Sequence, residues 1–187
     1  MVAISKPAFA ILAVFNLFTG TSAAPASKPE LTDYLSLIKV APGLPTPKEL
    51  GLTNEFLNNP IPEHAAHQAR ELLSKRYNPV CWPGVPQCSI ADAAACFAYL
   101  NSLGSQRCVV NPGTSRVRMC VAGSCGWYGR PEIVRNGASS TCVTVAAGGN
   151  WVLGNCRVPL VGTVAGSNAA YGNGNFLVDI ARVGYFD

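Results

Sequence analysis

Apolar residues recur at three- and four-residue spacing over residues 89–104, which predicts an amphipathic helix. These apolar positions are Ile90, Ala93, Ala94, Phe97, Leu100 and Leu103. Ser89 predicts an N-cap, and Asp92, three residues later, predicts the second half of a capping box. Gly104 is expected to end the helix in a left-handed conformation. The helix therefore has both a start signal and a stop signal.

After this helix the hydrophobic pattern changes to the two-residue period of β-strands. A short β-like run covers residues 107–110, and apolar residues alternate with other residues over 116–121. A fainter copy of the same unit has a helical pattern that begins at residues 139–140 and strand-like runs at 158–165 and 176–183. The order helix, strand, strand thus occurs twice. It predicts an α+β protein with helices packed on one face of an antiparallel sheet.

Residues 1–23 have the pattern of a secretory signal peptide. Lys6 is followed by an apolar run, Ala8 to Phe18, that is too short to span a bilayer. Small residues then surround the expected cleavage point near Ala23. A buried N-terminal helix is the alternative interpretation. Because no later segment is long and apolar enough to be transmembrane, we expect a secreted, extracellular protein.

Residues 24–76 differ in composition from the rest of the chain. They contain no cysteine, but they hold both histidines, His64 and His67. They end at the basic pair Lys75-Arg76, which resembles the dibasic sites cut by kexin-type proteases in the secretory pathway. Alternatively, these two residues simply end a helix favourably against its macrodipole. We predict a cysteine-free pro-segment at 24–76, a Lys-Arg processing site, and a disulfide-rich mature domain at 77–187.

All the cysteines of the chain lie in the predicted mature domain. They are Cys81, Cys88, Cys96, Cys108, Cys120, Cys125, Cys142 and Cys156. An even number of cysteines in a small secreted domain predicts four disulfides, which we expect to tie the helices to the sheet. The sequence does not choose among the possible pairings. Cys120 and Cys125 have a loose zinc-ligand spacing, but no second pair and no nearby histidine accompany them, so we expect no metal and no cofactor.

The charge pattern of residues 77–187 indicates anionic partners. This part contains seven arginines and no lysine, against four acidic residues. Such a surface suits acidic lipid headgroups, phosphate or acidic polysaccharide, whereas nucleic acid would require a denser basic face. The absence of histidine from this part removes Ser-His and Cys-His nucleophile pairs. A hydrolase that uses Glu132 and a second carboxylate remains an alternative.

Two segments are predicted to be loops. The first, Cys125 to Arg130, places Trp127 and Tyr128 between glycines and beside Arg130. Trp, Tyr and Arg are frequent anchors of interfaces, so we predict a contact surface, although either aromatic side chain could instead pack on the core. The second, Gly166 to Asn175, is rich in Gly and Asn and is predicted to be a long hairpin connection.

Several of these segments together resemble the small secreted fungal proteins related to the killer toxins of smut fungi and to necrosis-inducing effectors. The matching segments are CFAYLNSLG (96–104), CVV (108–110), MCVAG (119–123), SSTC (139–142), Cys156, AGSNAAYGNGN (165–175) and FLVDI (176–180). The resemblance implies a two-layer α/β sandwich in which two antiparallel helices pack on an antiparallel sheet. It also implies a non-enzymatic activity: inhibition of susceptible cells through calcium uptake, or an effector action on host plant tissue. Inhibition by these toxins is associated with an exposed lysine, and residues 77–187 contain none.

The sequence thus predicts a secreted toxin-like or effector-like virulence protein that binds a surface target on another cell. That target is a membrane protein, an anionic lipid or a cell-wall polymer, and a monomer is expected. The predicted binding residues are Arg116, Arg118, Trp127, Tyr128 and Arg130. A cell-wall polysaccharide-binding protein and a small secreted hydrolase are the alternatives.

Overall fold

The computed structural model describes residues 31–59 and 77–187. The helices are α1 (Tyr34–Leu37), α2 (Asn54–Asn58), α3 (Ile90–Ser102), α4 (Cys142–Asn155) and a 3-10 turn at Val134–Asn136. The strands are β1 (Lys39–Val40), β2 (Val80–Cys81), β3 (Cys88–Ser89), β4 (Arg107–Val110), β5 (Val117–Ala122), β6 (Cys125–Pro131), β7 (Ala138–Thr141), β8 (Arg157–Val158), β9 (Thr163–Val164), β10 (Gly166–Ala170) and β11 (Asn173–Arg182). The predicted signal peptide, His64, His67, Lys75 and Arg76 lie outside the described residues.

Helix α3 is the helix predicted at residues 89–104, and it begins after Ser89 and ends before Gly104 as expected. The hydroxyl of Ser89 accepts a hydrogen bond from the amide of Asp92, and Gly104 has a φ of 55° just beyond the helix. The side chain of Asp92 does not complete the capping box, so that half of the prediction is wrong. Its carboxylate instead accepts from the amide (2.8 Å) and the hydroxyl (2.7 Å) of Ser124, and so it joins the helix to the turn after β5.

The centre of the molecule is a six-stranded sheet in the order β1-β5-β6-β11-β10-β2, in which every neighbouring pair is antiparallel. Two smaller sheets, β3-β9-β8 and β4-β7, flank it. Helices α3 and α4 contact one another and pack against strands of the large sheet. The α+β class, with helices on an antiparallel sheet, is therefore confirmed.

The core between helices and sheet forms around Trp127 of β6. Its side chain is fully buried and lies against Gly149 of α4, where an added Cβ would overlap the indole ring. Val178 and Ile180 of β11 are buried in the same cluster. Because side chains alternate along a strand, their neighbours Tyr128 and Asp179 face the other side of the sheet.

Four disulfides join the elements, as predicted. They are Cys81–Cys156, Cys88–Cys125, Cys96–Cys120 and Cys108–Cys142. The bond from Cys96 ties α3 to β5, and two others tie the two ends of α4 to β4 and β2. The expectation that bridges connect helices to strands is therefore confirmed, and all eight cysteines are paired.

The two predicted loops are mostly strands. Residues 125–130 lie within β6, and residues 166–170 form β10, so only a tight turn around Gly172 (φ 71°) separates β10 from β11. The predicted strand at 158–165 divides into β8 and β9, with Leu160 exposed at the turn between them. In residues 31–59 and 77–187, no helix is long and apolar enough to cross a membrane.

Residues 31–59, predicted to be part of a pro-segment, belong to the same compact unit as residues 77–187. They supply β1 at one edge of the large sheet, together with α1 and α2. Tyr34 and Leu57 from this segment are buried in the main core. The fold of the disulfide-bonded domain thus includes contacts with a part of the chain that carries no cysteine.

Candidate functional site

A buried carboxylate, Asp179 of β11, organises the sheet face that is opposite the helices. One of its oxygens, Oδ1, accepts a hydrogen bond from the hydroxyl of Ser167 at 2.6 Å. The other, Oδ2, accepts from Arg116 through Nε (3.1 Å) and Nη2 (2.8 Å), and from Arg130 through Nε (2.8 Å). Asp179 is 0% exposed, and each arginine side chain is 26% exposed. The carboxylate is therefore compensated by two cations, as a buried charge requires.

The sheet register explains why these side chains meet. Ser167 of β10 and Tyr128 of β6 lie opposite Asp179 on either side, and Arg130 lies two residues beyond Tyr128 on the same face. Arg116 directly precedes β5 and reaches across from the far side of β6. Three segments of the chain therefore converge on the carboxylate that β11 supplies.

A closed ring of hydrogen bonds fixes Arg130. Its Nη2 donates to the hydroxyl of Tyr77 at 3.2 Å, and that hydroxyl donates to Ser167 at 2.8 Å. Since Ser167 donates to Asp179, and Asp179 accepts from Arg130, the ring is complete. Such a network holds the guanidinium in one orientation and reduces the entropy that a ligand contact would cost.

The two arginines line an open pocket of about 270 Å³, which we call the diarginine pocket. Its lining residues are Trp82, Val85, Arg116, Arg130, Tyr185 and Phe186. The guanidinium of Arg116 lies 3.8 Å from the centre of the Phe186 ring. That ring also packs edge-on against Trp82 (5.8 Å), Tyr128 (5.2 Å) and Tyr185 (4.6 Å). The last residues of the chain thus build one wall of the pocket.

This arrangement has the chemistry of an anion site with aromatic walls. Two guanidinium groups share one carboxylate, so one positive charge remains uncompensated by Asp179. The Nη1 groups of Arg116 and Arg130 take no part in the contacts with that carboxylate. Guanidinium groups in such positions bind carboxylate, sulfate or phosphate through paired N–H donors, and aromatic rings contact the flat face of an attached group.

The structure brings together only two of the five predicted binding residues, Arg116 and Arg130. Arg118 pairs instead with the exposed Asp187, at 3.0 Å. Trp127 and Tyr128 are 0% and 2% exposed, so the prediction of an exposed aromatic pair is wrong. The alternative, in which an aromatic side chain packs on the core, holds for Trp127, whereas Tyr128 is buried on the opposite face of the sheet against Phe186. Both side chains are buried because the segment is a central strand rather than a loop.

The two buried aromatic residues have different surroundings. Trp127 lies under α4, whereas Tyr128 lies on the pocket side, below Phe186. Within the part of the chain that the structure describes, neither the indole N–H nor the phenol hydroxyl has a hydrogen-bond partner. Burial, and then the negative charge of Asp187, raise the pKa of Tyr128. Tyr128 is therefore a neutral support for the pocket wall rather than a group that touches a ligand.

Several residues of the site were not predicted. They are Tyr77, Trp82, Ser167, Asp179, Tyr185 and Phe186. The usable signal was an acidic residue in the apolar run FLVDIA, since a charge in such a strand requires partners of opposite charge. Two acidic residues that could serve as the second carboxylate beside Glu132 have other contacts: Asp92 accepts from Ser124, and Asp179 is paired with the two arginines. Among residues 31–59 and 77–187, no group of three or more His, Cys, Asp or Glu could hold a metal ion.

Comparison with known proteins gives a family without an assigned activity. The chain belongs to the family described as Domain of unknown function (DUF8794), which matches residues 80–182, more than half of the chain. The matched part includes all eight cysteines and the charged centre formed by Arg116, Arg130 and Asp179. No curated protein and no solved structure matches the chain.

Proposed function

We propose that this is a secreted toxin-like or effector-like protein that binds a target on the surface of other cells and catalyses no reaction. The observation that carries the proposal is the pair of arginines that Asp179 holds at the diarginine pocket. The proposed ligand is an anionic group of the target, attached to a ring or another flat moiety that contacts Trp82 or Tyr185. A carboxylate, sulfate or phosphate meets this description.

The sequence and the disulfides support secretion. Residues 1–23 have the pattern of a signal peptide, and four disulfides are typical of a protein that folds in an oxidising compartment. Maturation after Arg76 is part of the proposal. Such a cut would make Tyr77, whose hydroxyl belongs to the ring around Asp179, the first residue of the mature chain.

Arginine-to-lysine substitutions test the proposal and keep a cation beside the buried carboxylate of Asp179. Lysine keeps a positive charge beside Asp179 but lacks the planar fork of donors. We expect Arg116→Lys and Arg130→Lys each to weaken binding of the labelled protein to its target cells by roughly tenfold, the effect of one lost charge-assisted hydrogen bond. Arg118→Lys, outside the pocket, is the matched control and should bind like the original protein.

The same purified proteins distinguish this proposal from a wall-polysaccharide binder and from a hydrolase. Equal cell binding by all three lysine variants would refute the assignment of the pocket. Retention on chitin or glucan that depends on Trp82 but not on the arginines would favour a wall-polysaccharide binder. Turnover of a polysaccharide or RNA substrate that Glu132→Gln abolishes would favour the hydrolase.

A further inference from the structure

Residues 31–59 cover a surface that the disulfide-bonded domain would otherwise expose. Strand β1 pairs with β5, with Lys39 opposite Val121 and Val40 opposite Cys120. The amide of Ala41 extends this contact by donating to the carbonyl of Met119 at 3.1 Å. Without β1, strand β5 would be an edge of the large sheet with unpaired backbone groups.

Apolar side chains from the segment reach into the core of the domain. Tyr34, Ile38 and Leu57 are all buried in the cluster that includes α3. Leu57 is 1% exposed, whereas its neighbour Phe56 is 43% exposed. The segment therefore binds through specific anchors and not through its general apolar character.

Two polar groups of the domain find partners in the segment. The Tyr34 hydroxyl donates to the carboxylate of Asp92 at 3.0 Å. In the other direction, the hydroxyl of Tyr99 on α3 donates to the carbonyl of Pro45 at 2.7 Å. Tyr99 is fully buried. Loss of the segment would therefore either expose its side chain to water or leave its hydroxyl buried without a hydrogen-bond partner, and both outcomes cost free energy.

Hydrogen bonds within residues 31–59 hold the two short helices of this segment together. The Asn54 side chain accepts from the amide of Leu35 at 2.9 Å and donates to Asp33 at 2.8 Å, which joins α1 to α2. Asn58 makes a similar connection to Thr32. Helices of four and five residues are unstable alone in water, so their formation depends on the domain surface.

No covalent bond other than the backbone holds the segment in place. All four disulfides join residues between Cys81 and Cys156. A cut anywhere between residues 59 and 77 would therefore leave two chains. We propose that residues 31–59 remain bound to the domain as a separate, non-covalent subunit after such a cut, with α3 and the edge of β5 as the interface.

The test uses the full, oxidised chain with a recognition sequence for a site-specific protease inserted after residue 68. Cleavage is verified by denaturing mass spectrometry, and the association of the two chains is measured by native mass spectrometry and gel filtration at about 1 μM, a concentration at which a complex of moderate affinity is still associated. We expect both fragments in one 1:1 complex. Separation of the fragments would overturn the proposal.

Adjacent apolar residues provide a matched pair of variants. Leu57→Asp places a charge in the core and should increase the dissociation constant by roughly 100-fold or more, whereas Phe56→Asp, at an exposed position, should leave the complex intact. If Leu57→Asp fails to form its four disulfides, Tyr34→Phe serves in its place and should speed dissociation about tenfold through loss of the bond to Asp92. Dissociation that neither Leu57→Asp nor Tyr34→Phe changes would also overturn the proposal.

Discussion

Replacement of Asp179 by asparagine removes the carboxylate that two arginines share. The change keeps the size of the side chain but leaves two guanidinium groups against a neutral amide. Removal of one partner from a buried ion pair costs about 3–5 kcal/mol, because the remaining charge is uncompensated. Since Arg116 and Arg130 are each 26% exposed and can turn towards water, we expect a loss near the lower end, about 3 kcal/mol.

Asp187 provides the control for the same substitution. It pairs with Arg118 at the surface, where both side chains are exposed. An exposed ion pair contributes about 0–1 kcal/mol, so Asp187→Asn should have a small effect on stability. The two variants make the same chemical change to an Asp–Arg pair and differ mainly in burial.

The free energy of unfolding is measured by urea titration of the oxidised proteins at neutral pH. The difference between the variants should exceed about 2 kcal/mol. High salt should reduce the effect of Asp187→Asn more than that of Asp179→Asn, because exposed pairs are screened more strongly. An Asp179→Asn protein within about 1 kcal/mol of the original would refute the reasoning, since the carboxylate would then not be what holds the arginines together.

Other predictions concern the helix face of the sheet and the covering segment. In Gly149→Ala the new methyl group would overlap the ring of Trp127, so the variant should be destabilised by about 1–3 kcal/mol. Gly154 lies on the same helix with open space around it, so Gly154→Ala should be stabilised by up to about 1 kcal/mol. Urea titration of both variants should show changes of opposite sign in the free energy of unfolding. Burial and a neighbouring carboxylate raise the pKa of Tyr34 from 10.0 to about 12. The contribution of this phenol to the free energy of unfolding is therefore complete below pH 10 and is lost as the pH rises through 12. Alkaline unfolding followed by tyrosine absorbance should be shallower for Tyr34→Phe, and the dependence that remains should come from other buried phenols such as Tyr99, whose pKa burial also raises.

Local signals were sufficient for α3 and for the number of disulfides. The second helical pattern, expected to begin at residues 139–140, begins instead at Cys142, because residues 138–141 form β7. The start of α3 at Ser89 and its end before Gly104 depend on side-chain and backbone preferences of a few neighbouring residues. The even number of cysteines predicted four bonds, but their pairing depends on which strands lie side by side. The pattern around Trp127 was ambiguous for a related reason: glycines beside aromatic residues suit a loop, and they also suit a central strand that is closely packed on both faces.

The charged site could not be predicted from local pattern. Arg116 and Arg130 lie 63 and 49 residues before Asp179, and they meet it only because β6 lies between β5 and β11 in the right register. A shift of one residue in the β6–β11 pairing would place Asp179 and Arg130 on opposite faces of the sheet, and a shift in the β5–β6 pairing would displace Arg116. The sequence could show that Asp179 needs cations, but not which of the seven arginines of residues 77–187 would supply them.

The two faces of the large sheet separate stability from recognition. On one face, Trp127, Val178 and Ile180 pack under helices that disulfides tie to the strands. On the other face, the carboxylate of Asp179 is buried and holds two arginines in place at an open pocket. Because successive residues of β6 and β11 serve opposite faces, a substitution that changes the pocket lining need not disturb the core. Changes at Arg116 and Arg130 that keep the charge should therefore reduce stability less than a change at Asp179 itself, because a cation remains beside the buried carboxylate.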